Sequence, residues 1–297
     1  MVEQKPIETL GFIGLGVMGA SMCANLLKKS GKPVYGFDQR PEPVRRLAEL
    51  GLRPCENVAE LAHAADAVFL SLPSGREVED VCCGPDGLIA AQGRTHTIVD
   101  MSTSAVKLMG DLHARLDRHG MRFIDAPVAG MRQRARDGTL SIMVGGPADV
   151  VAAVRPYLAC MGADFTHCGA IGSGQMVKVL NNMVVFMTVN ALAEAITIGR
   201  RAGLDARLLF ETMSKGSSDS AALRTPGLKH LVPDEFPEDA FPTDYAIKDI
   251  RLALELAQQT GVNAEAARHT CTLLEATSRA GYARNYYPVM VKLVEKG

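Results

Sequence analysis

Lys178 and Asn182 stand four residues apart in GSGQMVKVLNN, and almost everything around them is apolar: Met176, Val177, Val179, Leu180, Met183, Val184, Val185, Phe186 and Met187. On a helix, residues i and i+4 share a face. An ammonium and a carboxamide would then point the same way. A helix that is apolar on most faces is buried. Burying these two polar groups without partners is costly, so something polar must meet them. The chemistry on offer is proton transfer at a hydroxyl or carbonyl, with Lys178 as general acid/base and Asn182 orienting the same substrate. Burial beside a cofactor would lower the lysine pKa toward working pH. The competing reading is a lysine that snorkels out of the first helical turns.

A second constellation lies near the start. An apolar strand runs through Gly11, Phe12 and Ile13 into Gly14-Leu15-Gly16-Val17-Met18-Gly19, and a helical pattern, ASMCANLLKK, follows. Gly14 permits a tight turn, Gly16 lets the backbone approach a pyrophosphate, and Gly19 lets helix and strand pack closely. The free N–H groups of the helix start and its dipole suit phosphates. The next strand, PVYGF, ends in Asp38, followed by Gln39 and Arg40. A carboxylate there accepts ribose hydroxyls and repels a 2′-phosphate, which favours NAD. Arg40 could reach such a phosphate, so NADP stays open.

The third is DAPVAGMRQRARDGTL, Asp125 to Leu140, with Arg132, Arg134 and Arg136 inside five residues. A guanidinium grips a carboxylate or sulfonate in a fork. The segment is a substrate-anion site, a solvated charged edge, or a set of arginines that pair with acids of a second subunit.

These residues need a scaffold, and the chain predicts one. Strand candidates TLGFIG, PVYGF, AVFLSL, HTIVD, RFIDA and LSIMV alternate with amphipathic stretches such as PVRRLAELG. That alternation means βαβ units and a mostly parallel sheet. From Gly172 the strands stop. A long helix is predicted over 175–203, then helices in ARLLFETMS, TDYAIKDIRLALELAQQTG and AEAARHTCTLLEATSRAG, with loop or irregular structure from Ser214 to Phe241. The predicted fold class is an α/β Rossmann domain (1–170) followed by an all-α domain (171–297), joined by the long helix. The boundary falls at Gly169, Gly172 and Gly174.

Composition narrows the function. With 32 Lys+Arg against 33 Asp+Glu, the chain lacks the basic excess that duplex nucleic acid demands. A small anion needs only a local basic site. Seven cysteines without a C-x-x-C pair suggest a reducing compartment and no metal or disulfide framework. The opening MVEQKPIETL has no apolar signal region, and the run Met183–Leu192 is short and interrupted for a membrane span. The expectation is a cytoplasmic protein.

Four motifs in order resemble the β-hydroxyacid dehydrogenase family, which includes 3-hydroxyisobutyrate dehydrogenase. They are GFIGLGVMGASMCANL, DAPVAGMRQRARDGTL, GSGQMVKVLNN and Lys248-Asp249-Ile250. Together they span nearly the whole chain. The resemblance implies an NAD(P)-dependent oxidoreductase that interconverts a small anionic β-hydroxy acid and its semialdehyde or keto acid. It implies a cleft between the two domains, Lys178 as catalytic acid/base and Asn182 as a substrate ligand. Lys248 would lie near the cofactor, and Thr103, Leu72 and Pro73 near its nicotinamide half. A homodimer or homotetramer would form through the α-domains. Lys248 also reads locally as an exposed helix lysine beside Asp244. One departure stands out. Relatives read DAPVSGG where this chain has Ala129-Gly130-Met131, so a hydroxyl donor to the substrate carboxylate is missing. Gly130 can still offer a backbone N–H, and Arg132, with Gln133, is placed to supply the lost contact. The alternatives are an imine reductase, against which Lys178 speaks, and a low-turnover dinucleotide-binding interaction protein.

Overall fold

The structure, a computed structural model, describes residues 5–238 and 240–296. The opening MVEQ of the N-terminal reading lies outside them. Among the described residues nine strands form one sheet: β1 (Leu10–Ile13), β2 (Val34–Phe37), β3 (Arg53–Pro54), β4 (Ala67–Leu70), β5 (Thr97–Asp100), β6 (Arg122–Asp125), β7 (Val128–Ala129), β8 (Leu140–Gly145) and β9 (Gly162–Gly169). Their order is β3-β2-β1-β4-β5-β6-β8-β7, with β9 paired to β8. The first six are parallel, Leu10 lying opposite both Val34 and Ala67. β6 meets β8 antiparallel at Asp125 and Gly145.

β1, β4 and β5 are buried at every position, because helices cover both faces of a parallel sheet. Alternation along the strands sorts the side chains. Phe12, Phe69 and Val99 pack with Met22 and Leu26 of the helix Val17–Lys29. Ile13, Val68, Leu70 and Ile98 pack with Met109 and Leu112 of the helix Val106–Asp117 on the other face. Three strands escape the sequence pattern. β3 and β7 have two residues each, and β9 is largely exposed, with no apolar run to announce it.

Compact units divide after Lys178. The long helix runs Ser173–Arg201 and is followed by helices Ala206–Met213, Thr243–Gln259 and Glu265–Thr277. Asp205 accepts the Leu208 N–H at 2.8 Å and starts the second of these, as an N-cap carboxylate does. Phe186, Val189, Ile196, Phe210, Ile250 and Leu274 form the helical core. The long helix has the length and hydropathy of a membrane span, but buried Phe186, Val189, Ile196, Asn190 and Thr197 lie along it.

The segment 214–241 departs from the loop reading. Leu223–Leu231 is a π-helix containing Pro226, with Leu223 and Leu231 buried. Proline removes a donor from the α ladder and widens the turn, while Gly227 lets the backbone press on the Phe210 ring.

Candidate active site

The parallel strands all end on one edge of the sheet, and the strand order reverses between β1 and β4. Ligands of open α/β sheets bind at such a reversal. The glycine loop follows β1. Gly14 has φ +89°, and a side chain there would strike the Ser71 carbonyl. A Cβ on Gly19 would overlap the Gly14 carbonyl oxygen. At Gly16 a Cβ would meet nothing closer than the Arg40 guanidinium, at 3.6 Å. Two glycines thus close the turn and the third faces open space. Among the described residues no side chain caps the helix that starts at Val17, and its first turn carries no acid. Its N–H groups suit a pyrophosphate. Phe12, Ile13 and Leu15 are core side chains, so any contact they make to a cofactor is through backbone, as at buried Gly11. Val17 and Met18 are exposed and half-buried.

Asp38 sits at the end of β2. Its Oδ2 accepts the Leu15 N–H at 2.7 Å, and its Oδ1 accepts the Arg40 N–H at 2.8 Å and Nε–H at 3.3 Å. The carboxylate therefore braces the glycine loop from the adjacent strand. Gln39 and Arg40 are exposed. These residues fit a dinucleotide: a cradle that any Cβ would fill, an uncapped helix start and a carboxylate one strand away.

Beyond the reversal, half-buried Leu72 and exposed Pro73 follow β4. The Leu72 N–H donates to Ser102 Oγ at 2.9 Å. Ser102, Thr103 and Ser104 follow β5, with Thr103 the more open of the three. Asp125 ends β6. Its carboxylate accepts N–H groups from Gly172 (2.6 Å) and Gln175 (2.8 Å), which holds the start of the long helix against the sheet. Burial pushes the Asp125 carboxyl up to about 6, against the pull of those two donors.

Lys178 and Asn182 are both buried on that helix, 9% and 8% exposed. Asn182 Nδ2 donates to Asp249 Oδ2 at 2.6 Å, and Lys248 Nζ lies 2.9 Å from Asp249 Oδ1. Two residues singled out in the sequence thus meet on a third, Asp249, which the sequence offers only as part of the Lys248-Asp249-Ile250 motif and without a role. Asp244, the local partner considered for Lys248, instead accepts the Ser278 hydroxyl. Asp249 had a signal: it lies on the buried stripe Ala246, Ile250, Ala253 of its helix, where an acid needs a reason. Asp125 and Gln175 likewise stand in sequence motifs without a role.

The arginine segment is not a loop throughout. Ala129 ends β7, Gly130 has φ +135°, Met131 is exposed, and Arg132–Asp137 is a short helix closed by Gly138 at φ +66°. Arg134 pairs with Asp164 at 2.9 Å, and Gln133 donates to Asp137 at 2.9 Å. Arg132 is half-buried and Arg136 exposed. Among the described residues no group of three or more His, Cys, Asp or Glu is arranged to hold a metal ion.

A doubly wound sheet with this glycine loop defines a dinucleotide-binding protein, and comparison with known proteins gives the family. Residues 9–172 match the NAD binding domain of 6-phosphogluconate dehydrogenase, and residues 172–294 match the NAD-binding domain of NADP-dependent 3-hydroxyisobutyrate dehydrogenase. The chain is 34% identical over 293 residues to 2-(hydroxymethyl)glutarate dehydrogenase of Eubacterium barkeri, covering 99% of this chain and 96% of that one. It is 37% identical over 257 residues to 3-hydroxyisobutyrate dehydrogenase of Pseudomonas aeruginosa, covering 84% and 85%. The solved structure of the Mycobacterium tuberculosis 3-hydroxyisobutyrate dehydrogenase with L-serine superposes with a TM-score of 0.87 at 33% identity, over 97% of this chain and 99% of that one. The chain belongs to the β-hydroxyacid dehydrogenase family. It is an NAD(P)-dependent dehydrogenase acting on a CH–OH group.

Proposed function

We propose that the enzyme interconverts a small β-hydroxy acid and its semialdehyde or keto acid, with Lys178 moving the hydroxyl proton. The observation that carries this is the buried pair on one helix face, with Asp249 behind Asn182. A carboxylate opposite an amide fixes which end is nitrogen. Asn182 therefore commits Nδ2 to Asp249, and its Oδ1 accepts the Asn181 Nδ2–H at 3.2 Å. A substrate hydroxyl on this helix face would donate its one proton to Lys178 Nζ. In the oxidative direction Lys178 takes the hydroxyl proton, and its charge then stabilises the developing alkoxide. The bound nicotinamide supplies the hydride chemistry. Gly14, Gly16 and Gly19 would admit the pyrophosphate, Asp38 the adenosine ribose, Thr103, Leu72 and Pro73 the nicotinamide half, and Lys248 the cofactor's edge.

The Asp38 carboxylate supports NAD over NADP, because it repels a 2′-phosphate. The substrate anion is assigned to the Gly130 N–H and to Arg132, in place of the serine that Ala129 replaces. A homodimer or homotetramer is proposed from the apolar stripe exposed along the long helix: Val177, Leu180, Val184 and Ile198. Seven free cysteines fit a cytoplasmic setting.

Turnover on a panel of β-hydroxy acids, with NAD and NADP in parallel, tests the reading. Lys178→Ala should lose about 10²- to 10⁴-fold in kcat, the range for a general acid/base, while retaining cofactor affinity. A variant as fast as the parent refutes the assignment.

A further inference from the structure

Gln175 lies one turn before Lys178 and is fully buried. Its side chain makes a two-point clasp on the loop after β5. Nε2 donates to the Ser102 carbonyl at 2.8 Å, and Oε1 accepts the Ser104 N–H at 3.1 Å. The clasped residues flank Thr103. The backbone N–H of Gln175 is itself anchored on Asp125 at the end of β6. Ser102 holds two further ties: its N–H donates to Asp100 Oδ1 at 2.9 Å, and its hydroxyl oxygen accepts the Leu72 N–H. One side chain therefore joins the helix that carries Lys178 to the loops after β4 and β5.

The place of these loops follows from topology. Asp38 on β2 marks the adenosine side of the strand reversal, so the ends of β4 and β5 lie under the nicotinamide side. We propose that Gln175 is a positioning residue: its amide fixes the Ser102–Ser104 loop, and with it the nicotinamide side of the cofactor site, relative to Lys178. This rests on the function proposed above. A glutamine suits the task because one carboxamide offers a donor and an acceptor side by side, matching a carbonyl and an N–H two residues apart. A leucine fills similar volume and leaves both backbone groups without a buried partner. An asparagine keeps both groups but is one methylene short.

The test compares NADH with ADP-ribose, which lacks the nicotinamide half, on Gln175→Leu and Gln175→Asn. NADH binding should weaken about tenfold, as expected for one to two lost hydrogen bonds, while ADP-ribose binding stays within about twofold. In the cofactor-free protein, amide exchange at residues 102–104 should quicken. The fall in kcat should reach about 100-fold with KM for the acid little changed, the scale of a small misplacement of reacting groups. If Gln175→Leu does not fold, Gln175→Asn carries the same expectation. Equal weakening of NADH and ADP-ribose reduces Gln175 to a fold-stabilising role and overturns the proposal, as does unchanged binding with unchanged exchange. The binding and exchange arms need no substrate. An inactive parent on every β-hydroxy acid would sink the proposed function and leave them readable.

Discussion

Asn181 donates its Nδ2–H to Asn182 Oδ1 at 3.2 Å, and Asp249 fixes the other end of the Asn182 amide. Asn182 and Asp249 are 67 residues apart, and the bond between them is buried. Lys248 shares the same carboxylate, so one acid holds both side chains, for which the proposed function assigns a cofactor role to Lys248 and a substrate role to Asn182. Two substitutions separate these roles. Asp249→Leu removes the acceptor for both, frees the Asn182 amide to flip, and should lower kcat by about 10- to 100-fold, within the cost of misplacing a reacting group. Asp249→Asn can still accept the Asn182 N–H and should keep most of the rate. Steady-state kinetics on the best acid from the panel checks this. Equal losses in both variants would mean that the charge, and not the orientation of Asn182, is what matters.

At the scale of elements, the start of the long helix is held by a carboxylate that burial has made reluctant to ionise. Asp125 is pushed up to about 6 from an ordinary 3.8. The folded state therefore binds this proton more tightly than the unfolded chain does. Its contribution to stability is fully present below about pH 4 and is lost as pH rises through about 6. The loss is on the order of 3 kcal/mol, since each pH unit of difference corresponds to about 1.4 kcal/mol. Asp125→Asn has no such proton. Denaturant unfolding of both proteins from pH 4 to 7 should show the parent's stability falling relative to the variant by about that amount. A constant gap would show that the two N–H donors already compensate for burial. This clamp also shows where sequence reading stops. The glycine turn and the burial of Lys178 and Asn182 on one face are legible in the sequence because they are local: a spacing, a turn, a shared helix face. The clasp of Gln175 on Ser102 spans 73 residues, and only the sheet brings the two together. β9 was missed because its exposed residues carry no alternation, and the turn at Leu223–Leu231 because Pro226-Gly227 reads as a break.

At the scale of the whole molecule, the long helix poses one unresolved demand. Leu180, Val184, Ala191 and Ile198 repeat at near-heptad spacing, all exposed, with Ile198 at 68%. That spacing keeps them on one stripe, and a continuous exposed apolar stripe is a contact surface more often than bare surface. Placed on a closed symmetric oligomer, the stripe meets its own copy. Val184→Glu with Ile198→Glu puts carboxylates on it without touching the buried face of the helix. Sedimentation velocity at micromolar protein should show the parent as a dimer or tetramer and the double variant as a smaller species. The parent's melting temperature should rise with protein concentration and the variant's should not, because association stabilises by mass action. A parent that sediments as a monomer at every concentration would refute the oligomer and leave the stripe without an assigned partner.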